Sequence, residues 1–277
     1  MVREGWGEII VVDNFSTDDT CKVAQTFLSV DHAQAGMPVL PSRDAIRVIQ
    51  KGPERSAQRN EGWRQARGEY VFFVDADMRV PEETLREIQG KIAVERPLRT
   101  AHCSPLTAHR SPLTDAFFVR EVRIGEGWWT RVRNFERSFY DATCIDALRV
   151  IRRSLLEQVG GYDETMHACE DWDLDRRLLQ LTKNVAVTEG YLLHDERRLT
   201  FVRHIRKKVY YSGNFSLYLG KWGHDATTRK QFGFRYRFFG IFFEKGKWKR
   251  AITHPHYMVA IWFERVCVGV VYLTRRS

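Results

Sequence analysis

Cysteine is scarce and unpatterned in this 277-residue chain: five residues (Cys21, Cys103, Cys144, Cys169, Cys267), odd in number, widely spaced and without a C-x-x-C pair. That pattern excludes a disulfide framework and offers no structural zinc site, and a reducing compartment is the default expectation. The first residues lack the basic-then-apolar pattern of a secretory leader, and no stretch is both long enough and free enough of charge to span a bilayer. Internal repeats and low-complexity segments are also absent. What is present is the composition of a folded protein, 43% hydrophobic and 29% charged, which argues against disorder. The formal net charge of +9 suits an anionic partner such as a nucleoside diphosphate, an anionic lipid or a nucleic acid, without choosing among them.

The most informative stretch is Val74-Asp75-Ala76-Asp77-Met78, directly behind the apolar run Tyr70 to Val74. Bounded by Gly68 and Pro81, that run predicts a buried strand of a parallel sheet. Ligands of open α/β sheets bind beyond the carboxyl ends of strands, so Asp75 and Asp77 fall where a substrate is expected. Two hard oxygen ligands there suit Mg²⁺ or Mn²⁺ bridging to phosphate; equally, aspartate at a strand end is a common turn former.

Around this stretch the pattern alternates. Glu8 to Val12 predicts a strand, Ser16-Thr17-Asp18-Asp19 the cap of a helix reaching about Leu28, and Ile46 to Gln50 a second strand. Ser56 to Arg67 predicts a helix stopped by Gly68, and Pro81-Glu82-Glu83 opens another. Strand and helix alternating at this spacing imply a three-layer α/β domain with a largely parallel sheet. Residues 98 to 140 read as irregular, with Trp128-Trp129 in a loop that either binds a ligand or anchors the core. Asp146 to Arg152 predicts a strand, Gly160-Gly161 a tight turn, Cys169 to Gln180 a helix and Asn184 to Val187 a strand. Beyond about Leu199 aromatic residues interleave with Arg and Lys, a mixture suited to a membrane headgroup region or to an ordinary core. Tyr257 to Leu273 is apolar apart from Glu264 and Arg265, which favours an interfacial or packed helix over a spanning one. The division expected is 1–199 for the α/β domain and 200–277 for a helical, membrane-proximal extension.

Taken in order, EIIVVDNFSTDDT (8 to 20), ERSAQRNEGWRQARGEYVFFVDADM (54 to 78), GGYDE (160 to 164), CEDWDLDRRL (169 to 178) and LLHDE (192 to 196) resemble glycosyltransferase family 2, inverting enzymes of GT-A fold that use nucleotide-sugars. The resemblance implies roles. Asp13 matches an acidic residue that contacts the nucleotide base, with Asn14 where a second Asp is frequent, and Arg59 and Asn60 lie in a region facing the nucleotide. Asp75 and Asp77 become donor-binding and metal-binding residues, Asp77 as the direct ligand, and His194 completes the metal site. Glu170 and Trp172 fall on the acceptor side and Asp171 is the general base, able to take a proton from an attacking hydroxyl. The implied cofactor is Mn²⁺ or Mg²⁺, and imidazole suits Mn²⁺ better.

The implied partners are a nucleotide-sugar and a glycan or polyprenyl-linked acceptor, with peripheral contact on the cytoplasmic membrane face and no nucleic acid. One departure stands out. Members normally carry a further strand about 30 residues before EIIVVD, where this chain has only Met1 to Gly7. The first and third strands are therefore expected to lack a common neighbour. A catalytically inactive sugar-nucleotide-binding or scaffold protein is the rival expectation.

Overall fold

The computed structural model describes residues 8–19, 46–94, 114–197, 200–212 and 215–274. Its strands are β1 (Ile9–Asp13), β2 (Ile46–Gln50), β3 (Tyr70–Phe72), β4 (Met78–Arg79), β5 (Ala116–Ile124), β6 (Leu148–Arg152) and β7 (Val185–Asp195). The principal helices are α1 (Arg55–Gln65), α2 (Glu82–Val94), α3 (Trp128–Arg137), α4 (Arg153–Val159), α5 (Glu170–Leu181), α6 (Phe201–Ser212), α7 (Phe215–Trp222) and α8 (Ala226–Phe232). A π-helical turn (Tyr236–Gly240) follows, then the short α9 (Ile241–Phe243) and α10 (Trp248–Thr253), and α11 (Pro255–Thr274) closes the series. The helix expected to run to Leu28 lies outside the described residues.

Two compact units emerge, each discontinuous in sequence: 1–73 with 150–182, and 74–149 with 183–277. In the first, β1 and β2 pair in parallel with Val11 opposite Val48, and Gly62 of α1 brings that helix against Val12. The strand β3 is antiparallel to β6, Val71 facing Ile151, so it does not join the parallel ladder expected for it. The apolar run gives a strand, but a shorter and less buried one than expected, with Tyr70, Val71 and Phe72 half-buried and Val74 exposed; the direction of its partner is set by a segment some 80 residues away. Among the described residues β1 and β3 lie in separate ladders. Trp63, Phe73, Ile151, Leu156, Tyr162, Leu174 and Leu178 form this unit's core.

In the second unit β7 is parallel to β5 and antiparallel to β4. Its register shifts between Phe118 and Arg120, where β7 bulges through Thr188 to Gly190. At the bulge a Cβ on Gly190 would sit 2.5 Å from Thr84 Oγ1 of α2, so only glycine lets the helix approach. Glu87 of the same helix accepts the Glu189 and Gly190 N–H groups at 2.8 and 2.7 Å. The bulge lets β7 run on to Asp195, well past Val187, which puts His194 inside a strand.

Residues 98–140, read as irregular, contain β5 and α3. Trp128 and Trp129 open a helix whose buried face carries Val132 and Phe135 together with Arg133, Glu136 and Arg137. Buried charge hides the apolar period that would have announced the helix. Each of those charges has a partner: Arg265 of α11 donates to Glu136 at 2.8 Å, Arg133 lies 3.6 Å from Glu136 and 2.6 Å from His204 Nε2 of α6, and Arg137 donates to Asp146 at 2.6 Å; between α6 and α11, Glu264 accepts from Lys208. The aromatic tail divides: Tyr218 and Phe242 are buried, while Phe234, Phe239, Phe243 and Trp248 stay exposed. Among the described residues no helix is long and apolar enough to cross a membrane.

Candidate functional site

Chemistry-bearing side chains gather in two clusters, one in each unit. In the first unit Asp13 ends β1 and is nearly fully buried; its Oδ2 accepts the Ser16 N–H at 2.9 Å, and its carbonyl accepts from Lys51 at 2.9 Å. The carboxylate therefore builds the turn after the strand, one of the two roles open to it.

Helix α1 supplies Arg55 and Arg59, and α5 begins with Glu170 and Asp171 behind Cys169, which takes a left-handed conformation at φ 63°. Arg59 Nη1 donates to Asp171 Oδ1 at 2.7 Å, and Arg55 Nη2 to Glu170 Oε1 at 2.8 Å. Burial raises the Glu170 pKa, helped by the adjacent Asp171 charge and opposed by Arg55 and Arg59. Arg59 also lies over the Tyr162 ring, 5.2 Å from its centroid. The donor-side candidate Arg59 and the base candidate Asp171 are thus brought into one ion pair. Trp172 is half-buried on the same helix.

Asn60 faces inward. Its Nδ2 donates to the Tyr162 carbonyl at 2.9 Å and to Glu164 at 2.7 Å, while Oδ1 accepts from Tyr162 N–H at 2.8 Å and Trp63 Nε1 at 2.9 Å. This amide clamps the glycine turn to α1. Gly161 (φ 77°) allows the approach, since a Cβ there would lie 2.4 Å from Asn60 Oδ1.

In the second unit the chain turns between Asp75 and Met78, the Met78 N–H donating to the Asp75 carbonyl at 2.9 Å. The turn sends the two carboxylates to different neighbours. Met78 pairs with His194 across the β4–β7 ladder, and Asp195 N–H donates to the Asp77 carbonyl at 2.7 Å. That register places His194 Nε2 3.1 Å from Asp77 Oδ2, with the carboxylate half exposed. Asp75 Oδ2 instead lies 3.4 Å from Arg149 Nη1. Among the described residues no three His, Cys, Asp or Glu side chains form a metal-holding group, so Asp75 does not complete a three-ligand cluster with Asp77 and His194.

Sequence reasoning missed Arg149, Glu121, Arg137 and Asp146, which back Asp75 in a buried chain. No local motif marks them, because they come from β5, α3, β6 and the approach to β6. Glu196, after His194, is held by Arg123 at 2.7 Å; burial raises its pKa, but Arg123 and Arg133 bring it below the usual carboxylate value.

Comparison with known proteins gives a consistent result. The family model described as glycosyltransferase like family 2 matches residues 5–245. The pre-mycofactocin glycosyltransferase of Mycobacterium tuberculosis is 25% identical over 176 residues, 59% of this chain. This chain spans about a third of that relative, the match covering 34% of its length. Among solved structures, the mannosyltransferase PcManGT from Pyrobaculum calidifontis, in complex with GDP-Man and Mn²⁺, superposes with a TM-score of 0.56 at 15% identity, covering 98% of this chain and 79% of that one. The likeness is one of fold: the mixed α/β architecture of GT-A enzymes is shared.

Proposed function

Because the chain belongs to the glycosyltransferase like family 2, we propose that it transfers a sugar from a nucleotide-sugar to a hydroxyl or lipid-linked acceptor, with inversion at the anomeric carbon. The observation that carries the reading is the meeting of Asp77 and His194 at the β4–β7 edge. A carboxylate oxygen half open to solvent beside a largely covered imidazole nitrogen fits a divalent cation that takes its remaining ligands from diphosphate and water, and the imidazole favours Mn²⁺. The Mn²⁺ and GDP-Man in the structurally similar mannosyltransferase support that assignment. When bound, the cation supplies positive charge that steadies the departing nucleoside diphosphate.

Asp171 is the proposed base. An acceptor hydroxyl attacks the anomeric carbon from the side opposite the diphosphate, and its proton passes to the Asp171 carboxylate. The Arg59 guanidinium, donating to Asp171 Oδ1 at 2.7 Å, fixes where that carboxylate sits. Asp13 and Arg59 are proposed donor contacts, Glu170 and Trp172 acceptor-side residues.

A peripheral lipid contact is proposed for α11. Val259, Phe263, Val266 and Val270, spaced along one face, are all exposed, whereas Glu264 and Arg265 point inward and are buried. A helix with its charges inside and an apolar stripe outside suits the acyl boundary of a bilayer, and the exposed cations Arg203, Arg206 and Lys249 suit its anionic headgroups.

The deciding experiment is a screen for nucleoside diphosphate release from UDP-, GDP- and dTDP-sugars, with Mn²⁺ and with EDTA, in the presence of glycan and polyprenyl phosphate acceptors. Turnover of one donor is expected. Nucleotide binding without turnover under any condition favours the catalytically inactive reading.

A further inference from the structure

Behind Asp75 lies a line of alternating charge that the transfer reaction, as derived above, leaves unused. Arg149 is 9% exposed; its Nη1 faces Asp75 at 3.4 Å and its Nη2 donates to Glu121 Oε1 at 2.7 Å. The other Glu121 oxygen accepts from Arg137 Nε at 3.3 Å. Arg137 Nη2 donates to Asp146 Oδ1 at 2.6 Å, and Asp146 Oδ2 accepts the Ala142 N–H at 2.7 Å. The four inner groups, Asp146, Arg137, Glu121 and Arg149, sum to zero charge, so Asp75 keeps a net negative charge at the outer, half-exposed end.

Burying four charges is a weak way to gain stability, since apolar side chains of similar volume commonly do as well. What such a line supplies is a fixed direction: each guanidinium fork is held on both sides, so its neighbour's carboxylate has one place to sit. The guanidinium also bears on metal binding. A cation already at Asp75 Oδ2 competes with and repels a divalent ion at that oxygen, whereas Asp77 has an imidazole beside it.

We propose that Arg149 is a positioning residue of the donor site, which through the fork set by Glu121 holds the Asp75 carboxylate in place as an acceptor for the hydroxyl or N–H groups of the nucleoside. The adjacent pair thereby divides its work: Asp77 with His194 serves the metal and the diphosphate, and Asp75 with Arg149 serves the nucleoside. This rests on the proposed function.

Calorimetric titration of UDP, GDP and dTDP into the full chain, in Mn²⁺ and in EDTA, tests it. Asp75→Asn and Arg149→Met are each expected to weaken nucleotide binding about tenfold or more in both conditions, the loss of one charge-assisted hydrogen bond. The double variant is expected to be no weaker than either single one, and Asp77→Asn to lose only the Mn²⁺-dependent part. Additive losses, full affinity in Arg149→Met, or losses seen only with Mn²⁺ overturn the proposal. Should Arg149→Met fail to fold, Arg149→Lys carries the test: an ammonium cannot fork between Glu121 and Asp75, so unchanged affinity overturns it. Wild-type protein that binds none of the nucleotides defeats the proposed function itself, a failure distinct from intact binding that ignores Arg149.

Discussion

Replacing Asn60 by alanine removes a clamp whose cost can be worked from its contacts. The side chain is almost fully buried and makes four hydrogen bonds, to Tyr162 N–H and C=O, Trp63 Nε1 and Glu164. Glu164 is exposed enough to recover water and has Arg64 at 3.4 Å. The other three partners lie in the core and are left unpaired, at about 1–3 kcal/mol each. Partial relaxation makes the simple sum an upper bound, so a loss of roughly 3–5 kcal/mol is expected, against about 5–15 kcal/mol for a whole domain.

Asn60→Asp is the sharper control. It keeps the acceptor but puts charge where two donors stood, facing the Tyr162 carbonyl and the Glu164 carboxylate, so it should be at least as damaging. Gly161→Ala drives a methyl into the same amide and should be strongly non-additive with Asn60→Ala. Urea unfolding followed by tryptophan fluorescence measures all three. A loss below about 1 kcal/mol for Asn60→Ala, or a milder effect for Asn60→Asp, refutes the argument that these partners depend on the clamp.

Three further expectations follow from the other elements. Asp171→Asn should leave nucleotide affinity near wild type while transfer to a hydroxyl acceptor falls by about 10²- to 10⁴-fold; normal turnover removes Asp171 as base. In the second unit burial pushes Glu121, Glu136 and Glu264 upward, but the surrounding Arg and Lys charges win and hold all three below the usual carboxylate value of 4.5. The unfolded chain thus binds more protons at these sites, so the stability they contribute is complete above about pH 4.5 and is lost as pH falls below it. Asp146, raised by burial, works in the opposite sense. Urea midpoints at pH 7, 5 and 4 should show Glu136→Gln losing its added instability as pH drops, and parallel curves for wild type and variant would count against it. Finally, Phe263→Asp on the exposed face of α11 should reduce sedimentation with anionic liposomes while changing stability by only about 0.5 kcal/mol, as for a surface site; wild-type protein that never sediments defeats the lipid contact.

Local chemistry made much of this legible in advance. The strands Ile9–Asp13 and Ile46–Gln50, the helix opened by Pro81 and the acidic start of α5 all follow from apolar runs, caps and dipole preferences that act within a few residues. The same holds for Asp75, Asp77 and Asp171, which stand at or beside the ends of the elements that present them, whereas His194 lies inside β7 rather than beyond a strand ending at Val187.

Partnership was not legible, because it depends on groups distant in sequence. That β3 runs antiparallel to β6, that β7 bulges and carries His194 to Asp77, and that Arg149 claims Asp75 are all fixed by pairings across roughly 70 to 120 residues. Buried charge was the main source of misreading. In α3 and α11, Glu136, Arg133, Glu264 and Arg265 look from sequence like a solvated face, and only opposite charges met in the folded unit let them turn inward, which in α11 leaves Val259, Phe263, Val266 and Val270 outside. An isolated sequence pattern registers each charge by its cost in water-free surroundings; the tertiary structure decides whether an opposite charge is waiting there.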